Sequence, residues 1–383
     1  MRRAAASSGA GGWVRATGYH ERVAGELDRH VLDSMVGDVR VRVQHRTGAM
    51  WMLSSAAARA VDLDAGDHPG IERDERGGAT GRVFGADAWL RARLPAGDPP
   101  DLASVGAELA RYGVTGVTDA TPSEAVDDLE LLAGAVTSGA LPLDVVVTGG
   151  VALADRDTPS PLQRGPVKIV LADHDLPALD DLEAGIVRAH TSGRPVAIHC
   201  VTHVATVLAL AAWTDVGAIP GDRIEHGAVV RPETAALAAR HGLTVVTQPS
   251  FVRERGDDYL RDVDAVDQPY LYPCASLEHE GVAVAGSTDA PYASADPWRA
   301  IATAVDRRTR AGRVLGAGER VSAQRALDLF LGRPDDPGGP PRRVEPGAPG
   351  DLCLLDAPLA DALAAPDAGH VRMTVRRGVP TFR

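Results

Sequence analysis

Seven short runs rich in β-branched residues recur between residues 113 and 289, and they constrain the fold of this 383-residue chain more than any other feature. They are GVTGVTD (113–119), DVVVTGG (144–150), VKIVLAD (167–173), PVAIHC (195–200), DRIEHG (222–227), LTVVTQP (243–249) and VAVAGSTD (282–289). Between them lie Ala/Leu-rich amphipathic stretches such as LDDLEAGIVRAHTSG and PETAALAARHG. The second closes on the glycine expected just past a helix C-terminus. Strands that are apolar along their length and alternate with helices form a parallel sheet covered by helices. That sheet is either open and doubly wound or closed into a (β/α) barrel, and periodicity alone does not choose. A nucleotide-binding open sheet would carry a Gly-rich phosphate loop after an early strand, and none is present.

Four segments follow from the pattern. Residues 1–12 (MRRAAASSGAGG) read as a loose arm, and residues 13–100 as a small mixed subdomain inserted beside the barrel. In that subdomain VRVRVQ (39–44) alternates like a strand and runs into WMLSSAAARAV, which reads as a helix. Gly-rich HPGIERDERGGATG (68–81) precedes the boundary. Residues 101–331 hold the repeating region, and residues 332–383 a Pro/Gly-rich connector followed by a small β appendage built from DLCLLD and HVRMTVRRG.

Composition narrows the function classes. A net charge of -12 leaves no basic surplus to hold a phosphate backbone, so nucleic acid is not an expected partner. No apolar run approaches the ~20 residues of a membrane span, and a cytoplasmic protein acting on a small molecule is expected. Cys200, Cys274 and Cys353 are odd in number and widely spaced, which argues for reduced buried thiols and against a disulfide framework. Of 40 basic residues, 39 are arginine, and Lys168 is the single lysine. Arginine keeps its charge at any ordinary pH, whereas a buried lysine can become a neutral, nucleophilic amine. A lone lysine in such a chain points to a task arginine cannot perform.

Lys168, His199, His226 and Asp289 each sit at or near the C-terminal edge of a strand run, where parallel α/β barrels place their chemistry. Imidazole nitrogen and carboxylate oxygen are ordinary ligands for zinc, and a closed barrel would let them converge. The competing possibility is structural: two hydrogen-bonded core histidines, and Asp289 capping a helix whose first turn holds Pro291.

KIVLAD, AIHC, RIEHG, VTQP and AGSTDAP, in this order and at these intervals, resemble the amidohydrolase superfamily, in particular its branch of non-peptide amide and formamide hydrolases. VQHRTGAMWMLSSAA, GIERDERGGATGRVFGADA and VEPGAPGDLCLLD extend the resemblance over nearly the whole chain. It implies a TIM-type (β/α)8 barrel and a divalent metal. Lys168 matches the strand-four lysine, carboxylated in many members, His199 and His226 the metal ligands of strands five and six, and Asp289 the strand-eight aspartate that binds metal and shuttles a proton. A carbamate requires a primary amine, which fits the single lysine.

The chain departs from the pattern in three places. No His-x-His is present, so seven of eight barrel strands are accounted for and the first is not. Either translation starts upstream, or the protein works without that half of the site. Gly48-Ala49 replaces a Gly-His pair, and Thr202-His203 replaces a Gly-Asp pair. The remaining ligands suit one ion, expected to be zinc, rather than two. His203 either starts a helix or lends a nitrogen to the pocket. The resemblance places His20, Glu21, His45 and Arg46 in loops over the barrel mouth, where Arg46 could clamp a carboxylate. The alternative for them is a solvated helix start and a surface ion pair. Gln248 reaches either a substrate carbonyl or a neighbouring loop.

The expected activity is metal-dependent hydrolysis of a small non-peptide C–N bond in a formamide, an N-acyl amine or a cyclic amide. Its rival is a degenerate barrel without metal catalysis that serves in binding or assembly. An open barrel edge would need cover from the N-terminal arm or from another chain, as in a homo-oligomer.

Overall fold

The computed structural model describes residues 3–4, 12–95, 100–122, 126–150, 157–173 and 175–383, so most of the expected arm lies outside the described residues. The chain divides into two compact units, Met1–Asp98 and Pro99–Arg383.

The first unit is built on a five-stranded sheet. Its strands are β1 (Trp13–Tyr19), β2 (Arg40–His45), β3 (Met50–Leu53), β4 (Ile71–Arg73) and β5 (Ala79–Phe84), in the order β1-β2-β3-β5-β4. Only β1 and β2 run parallel, and they end together, with Tyr19 opposite His45. The apolar WML run, expected to open a helix, is instead a strand paired on both sides. Its lack of alternation has a physical cause: both faces are covered, Trp51 and Leu53 in one apolar cluster and Met52 in another. The helix begins only at Ser55, where the Ser54 hydroxyl accepts from the Ala57 N–H at 3.3 Å.

The second unit carries a strand in each of the seven expected runs. Its strands are β6 (Gly116–Asp119), β7 (Asp144–Val147), β8 (Gln163–Arg164), β9 (Val167–Val170), β10 (Val196–Cys200), β11 (Arg223–His226), β12 (Thr244–Thr247) and β13 (Ala283–Gly286). They form parallel sheets in the orders β6-β7-β8 and β13-β12-β11-β10-β9. Only Gly165 and Pro166 separate β8 from β9, and the Lys168 N–H donates to the Gly149 carbonyl at 2.8 Å. The two sheets are therefore one run of seven adjacent strands with a bend.

Alternation along these strands sorts the side chains. Val167, Val196, Ile198, Cys200, Ile224, Val245 and Val284 pack into one cluster with residues of the helices Leu179–Thr191 and His203–Val216. Lys168, Ala197, His199, Arg223, Glu225, Thr244 and Ala283 consequently share the opposite face.

That face is curled. The Gly286 N–H donates to the Leu329 carbonyl at 2.8 Å, and the Thr118 hydroxyl donates to the Pro334 carbonyl at 3.0 Å. Five residues span at most ~18 Å, whereas the edges of a flat seven-stranded sheet lie ~29 Å apart. The edges β13 and β6 thus meet the same short segment. The Pro/Gly-rich stretch continues against this face: a Cβ on Gly116 would come within 2.8 Å of Pro334, and one on Gly338 within 2.6 Å of Thr244. Glycine permits that approach. Among the described residues no strand joins β13 to β6.

A three-stranded antiparallel sheet, β14 (Leu352–Leu355), β15 (Val371–Arg376) and β16 (Val379–Phe382), closes the unit. Arg376 ties it to Asp144 at the start of β7, at 2.6 Å. Among the described residues no helix is long and apolar enough to cross a membrane.

Asp289 does not cap a helix. Asp296 does so for Pro297–Asp306, accepting from the Trp298 N–H at 2.9 Å. Asp296→Ala should lower unfolding stability by about 1 kcal/mol, read from the denaturant midpoint.

Candidate active site

Register places the first three polar groups. Lys168 lies beside Ala197, and His199 beside Glu225, so Lys168, His199 and Glu225 step diagonally across one face of β9, β10 and β11. Lys168 stands second in β9 rather than at its edge, and is only 5% exposed. His226 follows Glu225 and by alternation alone would face the helices. Its backbone instead turns left-handed, with φ of 70°, and its ring sits 4.3 Å from that of His199, edge to face. Asp289 also adopts a left-handed conformation, φ 53°, three residues beyond β13. Non-glycine residues rarely adopt this region, and such strain concentrates at functional sites.

Gln248 orients His226. Its amide nitrogen donates to the Val246 carbonyl and the Ser287 hydroxyl, both at 2.9 Å, which turns its oxygen toward His226 Nδ1 at 2.8 Å. The proton on His226 therefore sits on Nδ1, leaving the Nε2 lone pair free. Gln248 is 1% exposed, and all three of its contacts lie inside the protein.

Lys168, His199 and Asp289 differ from Gln248 in one respect: among the described residues, no hydrogen bond or ion pair engages the Lys168 amine, the His199 ring or the Asp289 carboxylate. Burial sets their protonation. It lowers the Lys168 pKa, with Glu225 opposing and Arg223 reinforcing that shift. It lowers His199 to about 4, helped by Lys168, and pushes Asp289 up to about 6 against the pull of Lys168 and Arg255. His226 falls well below the usual imidazole range by burial and by the neighbouring His199 and Lys168. Glu225 behaves oppositely. Burial would raise it, yet Arg223, then Lys168 and His226, hold it at about 2. Arg223 donates to Glu225 at 2.7 Å within the same strand.

A buried amine beside a half-buried imidazole and carboxylate, none with a hydrogen-bond partner among the described residues, leaves room for a bound cation. The profile of the amidohydrolase family matches residues 1–382. The chain belongs to that family. No curated protein matches it. Among solved structures, an uncharacterized metal-dependent hydrolase from Pyrococcus furiosus is 22% identical over 83% of this chain and 72% of its own, with a TM-score of 0.62. One from Pyrococcus horikoshii OT3 is 19% identical over 84% and 72%, with a TM-score of 0.65. The guanine deaminase from C. acetobutylicum is 12% identical over 73% and 74%, with a TM-score of 0.54. At these identities the likeness establishes the fold. Family membership supports metal-dependent hydrolysis as the general class of activity.

In this amidohydrolase the other candidate residues take different places. His203 is the first residue of helix His203–Val216, capped by Thr202, and its Nδ1 is buried without a partner. His20, Glu21, His45 and Arg46 all belong to the first unit. His20 caps the short helix Glu21–Ala24, and Arg46 donates its backbone N–H to the Tyr19 carbonyl at 2.8 Å. Cys200 and Cys274 are free and buried as expected, but Cys353 is exposed on β14. Glu225 and Arg223 were passed over in RIEHG, although a charged pair inside an otherwise apolar strand run was a visible signal.

Proposed function

We propose that the protein hydrolyses a small non-peptide C–N bond, as in a formamide, an N-acyl amine or a cyclic amide, with one zinc-class ion held by Lys168, His199, His226 and Asp289. The observation that carries this reading is that a buried lysine on β9, the adjoining imidazoles of β10 and β11 and a half-buried carboxylate just beyond β13 stand together in the second unit, with Lys168, His199 and Asp289 lacking hydrogen-bond partners among the described residues. A bound divalent ion supplies Lewis acidity toward a carbonyl and lowers the pKa of water.

The chain's own groups do the rest. Asp289 accepts a proton from water and returns it to the departing nitrogen. The imidazoles of His199 and His226 stay neutral at pH 7 because burial and their neighbours depress both, which keeps their lone pairs free. Burial likewise favours a neutral Lys168 amine, able to add carbon dioxide with loss of one proton and so present a carbamate.

A second reading rests on one finding. Among the described residues, His199, His226 and Asp289 do not bring three donor atoms within 4.8 Å of one another. That spacing favours a scaffold without metal catalysis. Assay of formamides, N-acyl amines and cyclic amides with protein loaded with zinc, cobalt or manganese separates the two. Turnover that disappears on chelation supports the hydrolase, and no turnover of any class under any metal supports the scaffold.

Gln248→Leu offers a narrower check. Without the amide oxygen the His226 tautomer is no longer fixed, and metal affinity should fall by about 10- to 100-fold, measured by calorimetric titration.

A further inference from the structure

We propose that His20, Glu21 and His45 form a second binding site, for a divalent ion of the zinc class, within the first unit. The inference does not rest on the proposed hydrolase reading.

The fold of this unit brings the three together. β1 and β2 are parallel neighbours and end side by side, Tyr19 against His45, so the residues that follow β1 meet the last residue of β2. His20 Nε2 lies 3.8 Å and His45 Nε2 3.4 Å from Glu21 Oε2. All three residues offer donor atoms within 4.8 Å of one another, and no other such group occurs among the described residues. Two ligands ~2.1 Å from a tetrahedral ion stand about 3.4 Å apart, which the His45–Glu21 pair matches at 3.4 Å and the His20–Glu21 pair approaches at 3.8 Å.

The orientation of His45 agrees. Its Nε2 is buried, and its contact with the Glu21 carboxylate, at 3.4 Å, is longer than a well-formed N–H···O hydrogen bond. On the far side of the ring, Nδ1 lies 2.8 Å from the Thr47 hydroxyl and accepts from the Thr47 N–H at 3.3 Å, so ligation through Nε2 requires the ring proton to move to Nδ1, where the Thr47 hydroxyl can accept it. The His20 and His45 rings lie stacked with centroids 5.7 Å apart and planes 30° from parallel. Ligation through both Nε2 atoms would cost two interactions, the 3.3 Å contacts from the Arg22 N–H to His20 Nδ1 and from the Thr47 N–H to His45 Nδ1.

Two imidazoles and one carboxylate select Zn²⁺, Co²⁺ or Ni²⁺ over Mg²⁺ and Ca²⁺, which prefer all-oxygen sets. Three protein ligands leave at least one position for water or a further ligand.

Full-length protein stripped with chelator and titrated with Co²⁺, followed by visible absorption and calorimetry, tests the site. His20→Asn with Glu21→Gln should lose about one equivalent relative to the wild type, because asparagine keeps the helix cap while both ligands go. His199→Ala with His226→Ala should keep that equivalent. Uptake by His20→Asn/Glu21→Gln equal to the wild type in number and affinity would overturn the proposal. Should the double variant fail to fold by circular dichroism, His45→Gln decides: at least tenfold weaker binding of one Co²⁺ supports the site, and unchanged binding overturns it. A protein that keeps this equivalent but has no second class of site would contradict the hydrolase reading and leave this one standing.

Discussion

Asp289→Asn is expected to lower amide hydrolysis by about 10²- to 10⁴-fold in kcat, the range that a positioned general base contributes. Asparagine keeps the shape of the side chain but cannot take a proton. The wild-type rate should fall as acid protonates the Asp289 carboxylate, at a pH below the value of about 6 that burial sets without an ion, and the residual rate of the variant should lack that limb. A variant that retains the wild-type rate would remove Asp289 from the chemistry.

The same substitution has a second, opposite signature in metal-free protein. Asp289 has a folded pKa of about 6 against an ordinary 3.8, raised by burial. A raised pKa means that the folded state binds the proton more tightly, so the associated stability is fully present below pH ~4 and is lost as pH rises through about 6. Above that pH the ionised carboxylate carries a penalty of roughly 3 kcal/mol, which asparagine does not. Chelated Asp289→Asn should therefore outlast the wild type in denaturant at pH 8 and match it near pH 4.

Glu225→Ala is expected to destabilise the protein by about 3–5 kcal/mol, the cost of leaving a buried charge unpaired. Arg223 lies 4% exposed and donates to Glu225, and Lys168 has Glu225 as the anion that most supports its charge. Removing the carboxylate strands one cation and drives the other further toward the neutral amine. The depressed Glu225 pKa, about 2, has the sign of a stabilising carboxylate, present above the ordinary 4.5 and lost as pH falls through about 2. A change below about 1 kcal/mol in urea unfolding would show that the pair contributes little.

How much of this was legible before folding differs by residue. The seven strand runs were readable because each is short, β-branched and framed by helical periodicity, and each contains a strand. Lys168 was legible through composition alone. The run WML was misread because a strand buried on both faces loses the alternation that identifies strands. His226 could be chosen as a candidate, but its direction could not: alternation points it at the helices, and only a left-handed backbone brings it to His199. Asp289 and Gln248 show the same limit. Helix capping and substrate contact were both chemically sound for them, and tertiary packing assigned the cap to Asp296 and the amide to His226. The curl of the sheet was also out of reach, since it depends on residues 329–334 touching both β13 and β6, the latter more than 200 positions away.

The most direct test of the proposed metal face is the metal content of the freshly purified protein, wild type against His199→Ala with Asp289→Asn, both checked for folding by circular dichroism. If Lys168, His199, His226 and Asp289 hold an ion, the variant contains about one equivalent less of zinc, cobalt, nickel or manganese than the wild type. Equal metal content in the two proteins would contradict it.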